Sequence, residues 1–189
     1  TLDYDFVSAV ALTGDSIVGL GQSPGAPTKV VRWERGGIPL GFTPASLEGQ
    51  PVATLHAIAS DGVGGSWAAG SSDDGPLLLH LDLNGNELSR MDCLGGRQGS
   101  IRTLDVSPTG RIAMGMTLRI DDTVMAPWFG ILTAGSLDFG RTPGFDAFDS
   151  ADVEPGAAAL VRWMPGGQLG LAFDVAGEIN TRWELMFSP

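Results

Sequence analysis

A short glycine turn recurs along the chain. It reads Leu12-Thr13-Gly14-Asp15, then Ser60-Asp61-Gly62, then Ser107-Pro108-Thr109-Gly110, then Met164-Pro165-Gly166-Gly167, and the glycines at 14, 62, 110 and 167 stand 48, 48 and 57 residues apart. Self-similarity at such a period marks a chain built from one supersecondary unit used several times. Each turn is flanked by apolar runs with strand-like spacing: Val7–Leu12, Leu55–Ala59, Ile101–Val106 and Ala159–Trp163 before it, Ser16–Gly21, Ser66–Gly70, Arg111–Met116 and Gln168–Phe173 after it. A third run follows in each unit, at Lys29–Trp33, Leu77–Leu81, Trp128–Leu132 and Thr181–Phe187.

A second turn closes three of the units: Arg35-Gly36-Gly37, Asn84-Gly85-Asn86 and Ala134-Gly135-Ser136. Asn-Gly between apolar runs is a strong hairpin signal, because both residues of a two-residue turn of this kind take positive φ. A fourth strand then reads Ile38–Phe42, Glu87–Met91 and Leu137–Gly140. The expected unit is four short antiparallel strands, with boundaries near 7–44, 55–92, 101–140 and 157–189. Such a sheet is apolar on both faces and must be packed by others. Its size and strand count are those of a β-propeller blade. The fold class expected is therefore all-β: one domain over 1–189, either a four-bladed propeller or part of a larger one. Residues 1–6 alternate Leu2, Tyr4 and Phe6 with Asp3 and Asp5, a strand pattern suited to closing a ring against 181–187. The reading leans to the larger propeller, completed by another chain or a further segment, and the Thr1 start reads as a processed or excised chain.

Composition agrees. Twenty-eight glycines and 12 prolines imply many turns. Helix is expected only as one turn over Thr43–Glu48, with Thr43 capping and Pro44 in the first position. The segment 141–155, with Phe145 and Phe148 among four acidic residues, reads as an inserted surface loop. The five tryptophans, at 33, 67, 128, 163 and 183, are expected to fill the space between sheets. The net charge of −11 repels phosphate backbones and anionic bilayers, which excludes nucleic acid as an expected partner. No apolar run of about 18 residues is present to span a membrane. The single cysteine, Cys93, cannot form an internal disulfide.

The stretch His56-Ala-Ile-Ala-Ser-Asp-Gly-Val-Gly-Gly-Ser-Trp-Ala-Ala-Gly70, then Pro76-Leu-Leu-Leu-His-Leu-Asp-Leu-Asn-Gly-Asn-Glu-Leu88, resembles the tandem β-propeller repeats of secreted bacterial proteins. Ile131-Leu-Thr-Ala-Gly-Ser-Leu-Asp-Phe139 is similar to the same tail. The resemblance covers three of the four units. It implies a propeller in an extracellular or cell-envelope setting and no single activity.

Candidate chemistry is sparse. Asp73 and Asp74 follow the second strand of unit two, and Asp121 and Asp122 hold the same place 48 residues on. Gathered near an axis, four carboxylates would offer oxygen ligands to Ca²⁺, although unit one has Gln22 and Ser23 there and Asp is common in exposed loops. Asp82-Leu-Asn84-Gly-Asn86-Glu87 looks like the start of a Ca²⁺ loop, but the sixth and twelfth positions hold Glu87 and Cys93 where Gly and Glu are needed. It reads as a hairpin turn. His56 and His80 sit inside strands, with no spacing that pairs either with Cys93 as a nucleophile. No catalytic residue is assigned. The expected function is a non-enzymatic binding or protein-interaction module, taking a protein or small ligand on a propeller face. The alternatives are a propeller hydrolase or lyase using an axial carboxylate or metal cluster, and a structural segment of a larger assembly.

Overall fold

The computed structural model describes residues 4–44, 53–94, 96–119, 125–133, 136–141, 160–175 and 181–187. All of its regular structure is β. Four antiparallel sheets follow one another along the chain, and each is a meander in which sequential strands pair. Sheet 1 comprises β1 (Phe6–Thr13), β2 (Ser16–Gln22), β3 (Lys29–Glu34) and β4 (Pro39–Pro44). Sheet 2 comprises β5 (Thr54–Ser60), β6 (Ser66–Ser72), β7 (Gly75–Leu81) and β8 (Glu87–Asp92). Sheet 3 comprises β9 (Gly99–Val106), β10 (Ile112–Arg119), β11 (Met125–Thr133) and β12 (Ser136–Arg141). Sheet 4 has three strands among the described residues: β13 (Leu160–Trp163), β14 (Leu169–Val175) and β15 (Thr181–Phe187). The fold class is all-β with repeated four-stranded antiparallel sheets, as the turn spacing requires. The chain divides into two compact units, Thr1–Gly96 and Arg97–Pro189, each holding two sheets.

All four glycine turns join strand 1 of a sheet to strand 2, but they are not one turn. Ser107–Arg111 and Met164–Gln168 enclose three-residue loops: the Gly110 and Gly167 N–H groups donate to the carbonyls of Ser107 and Met164 at 2.9 and 3.1 Å. The same loop closes β3–β4 and β7–β8, where Gly37 donates to Glu34 and Gly85 to Asp82. Its last residue must be left-handed, and all four glycines have φ of 80–84°. The Asn84-Gly85 turn is thus three residues long rather than two, because the Asp82 carboxylate captures the N–H groups of Asn84 and Asn86, each at 2.8 Å. Gly14 instead lies in a two-residue turn between Thr13 and Ser16, and Gly62 is the first rather than the last residue of a three-residue loop closed by the Asp61 N–H on the Gly65 carbonyl at 3.2 Å.

A second repeated feature is invisible in the periodicity. Strand 1 of sheets 1, 2 and 3 carries a one-residue register shift, at Ser8, His56 and Arg102. Such bulges bend and twist a strand.

In the first unit, β5 packs across β1 and β2. The core between the sheets joins Val18, Leu20 and Val30 of sheet 1 to Leu55, Ile58, Ala68, Leu77, Leu79 and Leu81 of sheet 2. In the second unit, β13 packs across β9 and β10, and Val161 and Leu169 meet Ala113. Leu77, Leu79 and Leu81 carry the period-2 alternation of a strand with one face in the core, and His80 lies among them on the other face.

Several expectations change here. Thr43 and Pro44 end β4 rather than start a helical turn, and the rest of that segment lies outside the described residues. The loop 141–155 lies outside them too, apart from Arg141, which ends β12. In the segment 1–6, the Asp5 N–H donates to the Gln22 carbonyl at 3.0 Å and Phe6 pairs with Gln22, so these residues extend β1 along β2. Trp33 does not fill the space between sheets 1 and 2. It covers Gly19 on the opposite face of sheet 1, where an added methyl would meet its ring at 2.8 Å.

Candidate functional site

The first unit holds a concavity of about 460 Å³, lined by Phe6, Thr54 and the β2–β3 connection from Gln22 to Thr28. The connection is pre-shaped by its sequence. Ser23-Pro24-Gly25-Ala26 forms a turn closed by the Ala26 N–H on the Ser23 carbonyl at 3.1 Å. Pro24 in the second position and Gly25, with φ of 74°, in the third match the type II pattern. The floor is tied to sheet 2 by two hydrogen bonds to Leu55: its N–H donates to Thr28 Oγ1 at 3.0 Å, and its carbonyl accepts from Gln22 Nε2 at 2.7 Å. The Gln22 amide also donates to Ser8 Oγ at 3.0 Å. Phe6 stands half-exposed at the rim. None of the nine lining side chains is ionisable. The site can hold an uncharged group by stacking, prolyl contact and hydroxyl hydrogen bonds. Among the described residues its lining offers no general acid or base.

Elsewhere in the same unit, the structure assembles a group that spacing alone does not pair. Trp67 and His80 are cross-strand partners on β6 and β7, and their rings stack at 4.2 Å with an 8° interplanar angle. His80 Nε2–H donates to Asp61 Oδ2 at 3.0 Å. The other Asp61 oxygen accepts the N–H groups of Val63 and Gly65 at 2.8 and 2.9 Å. Burial pushes the Asp61 carboxyl up, but the hydrogen bonds from His80, Val63 and Gly65 outweigh it and hold the group below its ordinary value. The carboxylate cages the three-residue loop between Asp61 and Gly65 and fixes the His80 ring. Among the described residues no serine, threonine or cysteine hydrogen-bonds to His80, so the pair orients an imidazole without a nucleophile to activate. The legible signals were the Asp61-Gly62 turn and the alternation of His80 with Leu79 and Leu81. The β6–β7 register was not legible, and it is what stacks the histidine on Trp67.

Cys93 is buried, and burial, then the charge of Asp92, pushes its thiol up to about 12. It stays a thiol at neutral pH and donates weakly to the Met91 carbonyl. Asp82 spends both oxygens on its own turn, the second on Asn86 Nδ2 at 3.0 Å. Of the acidic loops, Asp73 and Asp74 form the two-residue turn between Ser72 and Gly75. Asp121 and Asp122 lie outside the described residues. The described residues contain no group of three or more acidic, histidine or cysteine side chains placed to hold a metal. Among them, no helix is long and apolar enough to cross a membrane.

No protein-family model matches the sequence, and no curated protein matches it. Among solved structures the chain is similar to an endo-arabinase from Bacteroides thetaiotaomicron VPI-5482, at 14% identity and a TM-score of 0.46, over 94% of this chain and 72% of that one. It is also similar to a streptogramin B lyase, at 10% identity and a TM-score of 0.40, over 97% of this chain and 83% of that one. A third similarity is to the tail fiber of Staphylococcus aureus phage P68, at 10% identity and a TM-score of 0.28, over 98% of this chain and 61% of that one. The first two are propeller-type proteins, and at these scores the similarities assign the chain to no family.

Proposed function

We propose that this chain is a non-enzymatic binding module of the β-propeller kind, which takes an uncharged ligand in the concavity between Phe6, Thr54 and residues 22–28. The observation that carries the reading is the lining itself: pre-shaped by a Pro-Gly turn, braced by Leu55, and without an ionisable side chain among its nine residues. Burying a charged group there would leave it unpaired at a cost of several kcal/mol, roughly, so the site selects neutral chemistry.

An NMR titration tests this, with a neutral aryl glycoside and an N-acetylated, C-amidated dipeptide as probes. Saturable shifts at Phe6, Thr54 and residues 22–28, weakened at least about tenfold by Phe6→Ala, are expected for a stacked aromatic contact of this size. Saturable shifts confined to Asp61, Trp67 and His80, or turnover of the glycoside, would replace this reading with the hydrolase or lyase alternative.

A further inference from the structure

The concavity of the first unit is built on one residue of β5. That strand is an edge of sheet 2, and the N–H and C=O of its Leu55 both go to side chains of sheet 1. The chemistry of the groups fixes the direction of each bond. A carbonyl only accepts, so the nitrogen of the Gln22 amide faces the Leu55 carbonyl at 2.7 Å. The second N–H of that amide goes to Ser8 Oγ at 3.0 Å, at the register shift of β1, and the Ser8 hydroxyl donates to the Leu20 carbonyl at 3.4 Å. Both amide hydrogens are spent, which leaves Gln22 Oε1 as an oriented acceptor. The Leu55 N–H only donates, so Thr28 Oγ1 accepts it at 3.0 Å and keeps its own hydrogen to give elsewhere.

Among the described residues neither group is used further. Gln22 Oε1 has no hydrogen-bond partner there, and it is not shut away from solvent. The Thr28 hydroxyl hydrogen has no acceptor there, although Thr28 is only 2% exposed. A buried hydroxyl with an unspent hydrogen costs free energy until an acceptor reaches it. Both residues line the concavity. One fixed acceptor and one free donor thus stand side by side, held on the backbone of the same residue.

We infer that the ligand of this concavity is an extended peptide segment, one residue of which donates its N–H to Gln22 Oε1 and accepts the Thr28 hydroxyl at its C=O. This rests on the uncharged-ligand reading above and names the ligand's class. In extended backbone the N–H and C=O of one residue point to the same side, which is how paired strands exchange two bonds. Gln22 and Thr28 relay that pairing outward from Leu55, a side-chain version of strand addition. The N–H and C=O of a single trans amide point opposite ways, so an isolated acetamido group reaches one of the two groups and not both. Flanking side chains of the peptide meet Phe6, Pro24 and Pro27, and they are uncharged because the lining offers no charge to pair with.

NMR titration with acetyl-Pro-Val-Pro dimethylamide tests this. Its valine carries the only N–H, and the proline after it holds that valine extended. The expected result is saturable shifts at Phe6, Thr54 and residues 22–28. The matching depsipeptide, with an ester oxygen in place of the valine N–H, binds at least about tenfold more weakly, as for one unpaired buried acceptor. Thr28→Ser keeps the parent affinity, and Thr28→Val loses at least about tenfold with unchanged circular dichroism. The ester comparison uses the parent protein, so it decides the matter even where Thr28→Val does not fold. Equal binding of peptide and depsipeptide overturns the inference. So does a neutral aryl glycoside that binds in the concavity when the peptide does not; either result leaves the uncharged site standing. Failure of both probes to shift the lining residues overturns the two readings together.

Discussion

Sheets 1 and 2 share a topology, a hairpin at the same place and a one-residue bulge in the first strand, yet they bury different things. Sheet 2 presents Ile58, Leu79 and Leu81 to sheet 1, and all three are buried. Sheet 1 carries Val10, Val31 and Trp33 at the equivalent places, and only Val31 is fully buried. The difference lies in what covers the strands. Sheet 2 is covered from outside by another sheet. Sheet 1 covers itself, with Trp33 and Tyr4 folded over two glycines. The same backbone unit therefore takes aliphatic side chains on a face that meets the other sheet of its unit, and aromatic-over-glycine packing on the face of sheet 1 turned away from sheet 2.

The comparison breaks most directly at its central pair. Ile58→Ala is expected to cost about 3 kcal/mol, the range for emptying a packed core site. Val10→Ala, measured in dilute solution, is expected to cost less than about 0.5 kcal/mol, as for an exposed site. Equal losses in urea denaturation would mean that the two faces are covered alike.

The first hairpins differ next. Sheet 2 depends on the Asp61 cage, and sheet 1 has only the two-residue Gly14-Asp15 turn. Asp61→Ala leaves the Val63 and Gly65 N–H groups and the His80 ring without their acceptor and is expected to cost roughly 2 kcal/mol; Asp15→Ala is expected to cost less than about 0.5 kcal/mol. Because the Asp61 carboxyl is held below its ordinary value of 3.8, its contribution is complete above that pH and is lost as pH falls through the lowered value. Acid titration of the parent should therefore lose stability below that point more steeply than Asp61→Ala does. Parallel curves would assign the cage no role.

The second hairpins sharpen the likeness instead. Gly37 in sheet 1 and Gly85 in sheet 2 hold the same left-handed place, at φ of 84° and 83°. Alanine at either is expected to cost the same, about 1–2 kcal/mol, because a Cβ is strained there. A several-fold difference would show that the loops are equal only in outline. The smallest effect expected is that of chelation. Asp73 and Asp74 turn a hairpin in sheet 2, and no third acidic or histidine ligand joins them among the described residues. Removing Ca²⁺ should therefore move the melting temperature by less than about 1 °C. A shift of several degrees would bring Asp121 and Asp122 to the same ion.

What could be read in advance follows the range of the interactions. Turn chemistry depends on residues a few positions apart, so the glycine spacing, Pro24-Gly25 and the alternation in 77–81 were enough to place sheets, hairpins and the all-β class. The Asn84-Gly85 turn was placed correctly and given the wrong length, because Asp82 intervenes from just outside it. The site was less legible. Asp61 and His80 are 19 residues apart in sequence and meet only through the β6–β7 register. The lining of the concavity joins Phe6 and Thr54, which no motif connects.

By itself the sequence determined the repeated unit, its strand order and its turns, because a glycine at positive φ and a period-2 run act on their own neighbours. It also set a net charge of −11, on which the expectation of no nucleic-acid partner rests. Only the tertiary structure decided which faces of sheets 1 and 2 meet, that the chain divides into two compact units, and that Trp33 covers Gly19 on the face of sheet 1 away from sheet 2. Burial is the reason. A strand's pattern states that a face is apolar, but whether that face meets another sheet, its own aromatics or solvent depends on what the rest of the chain brings to it.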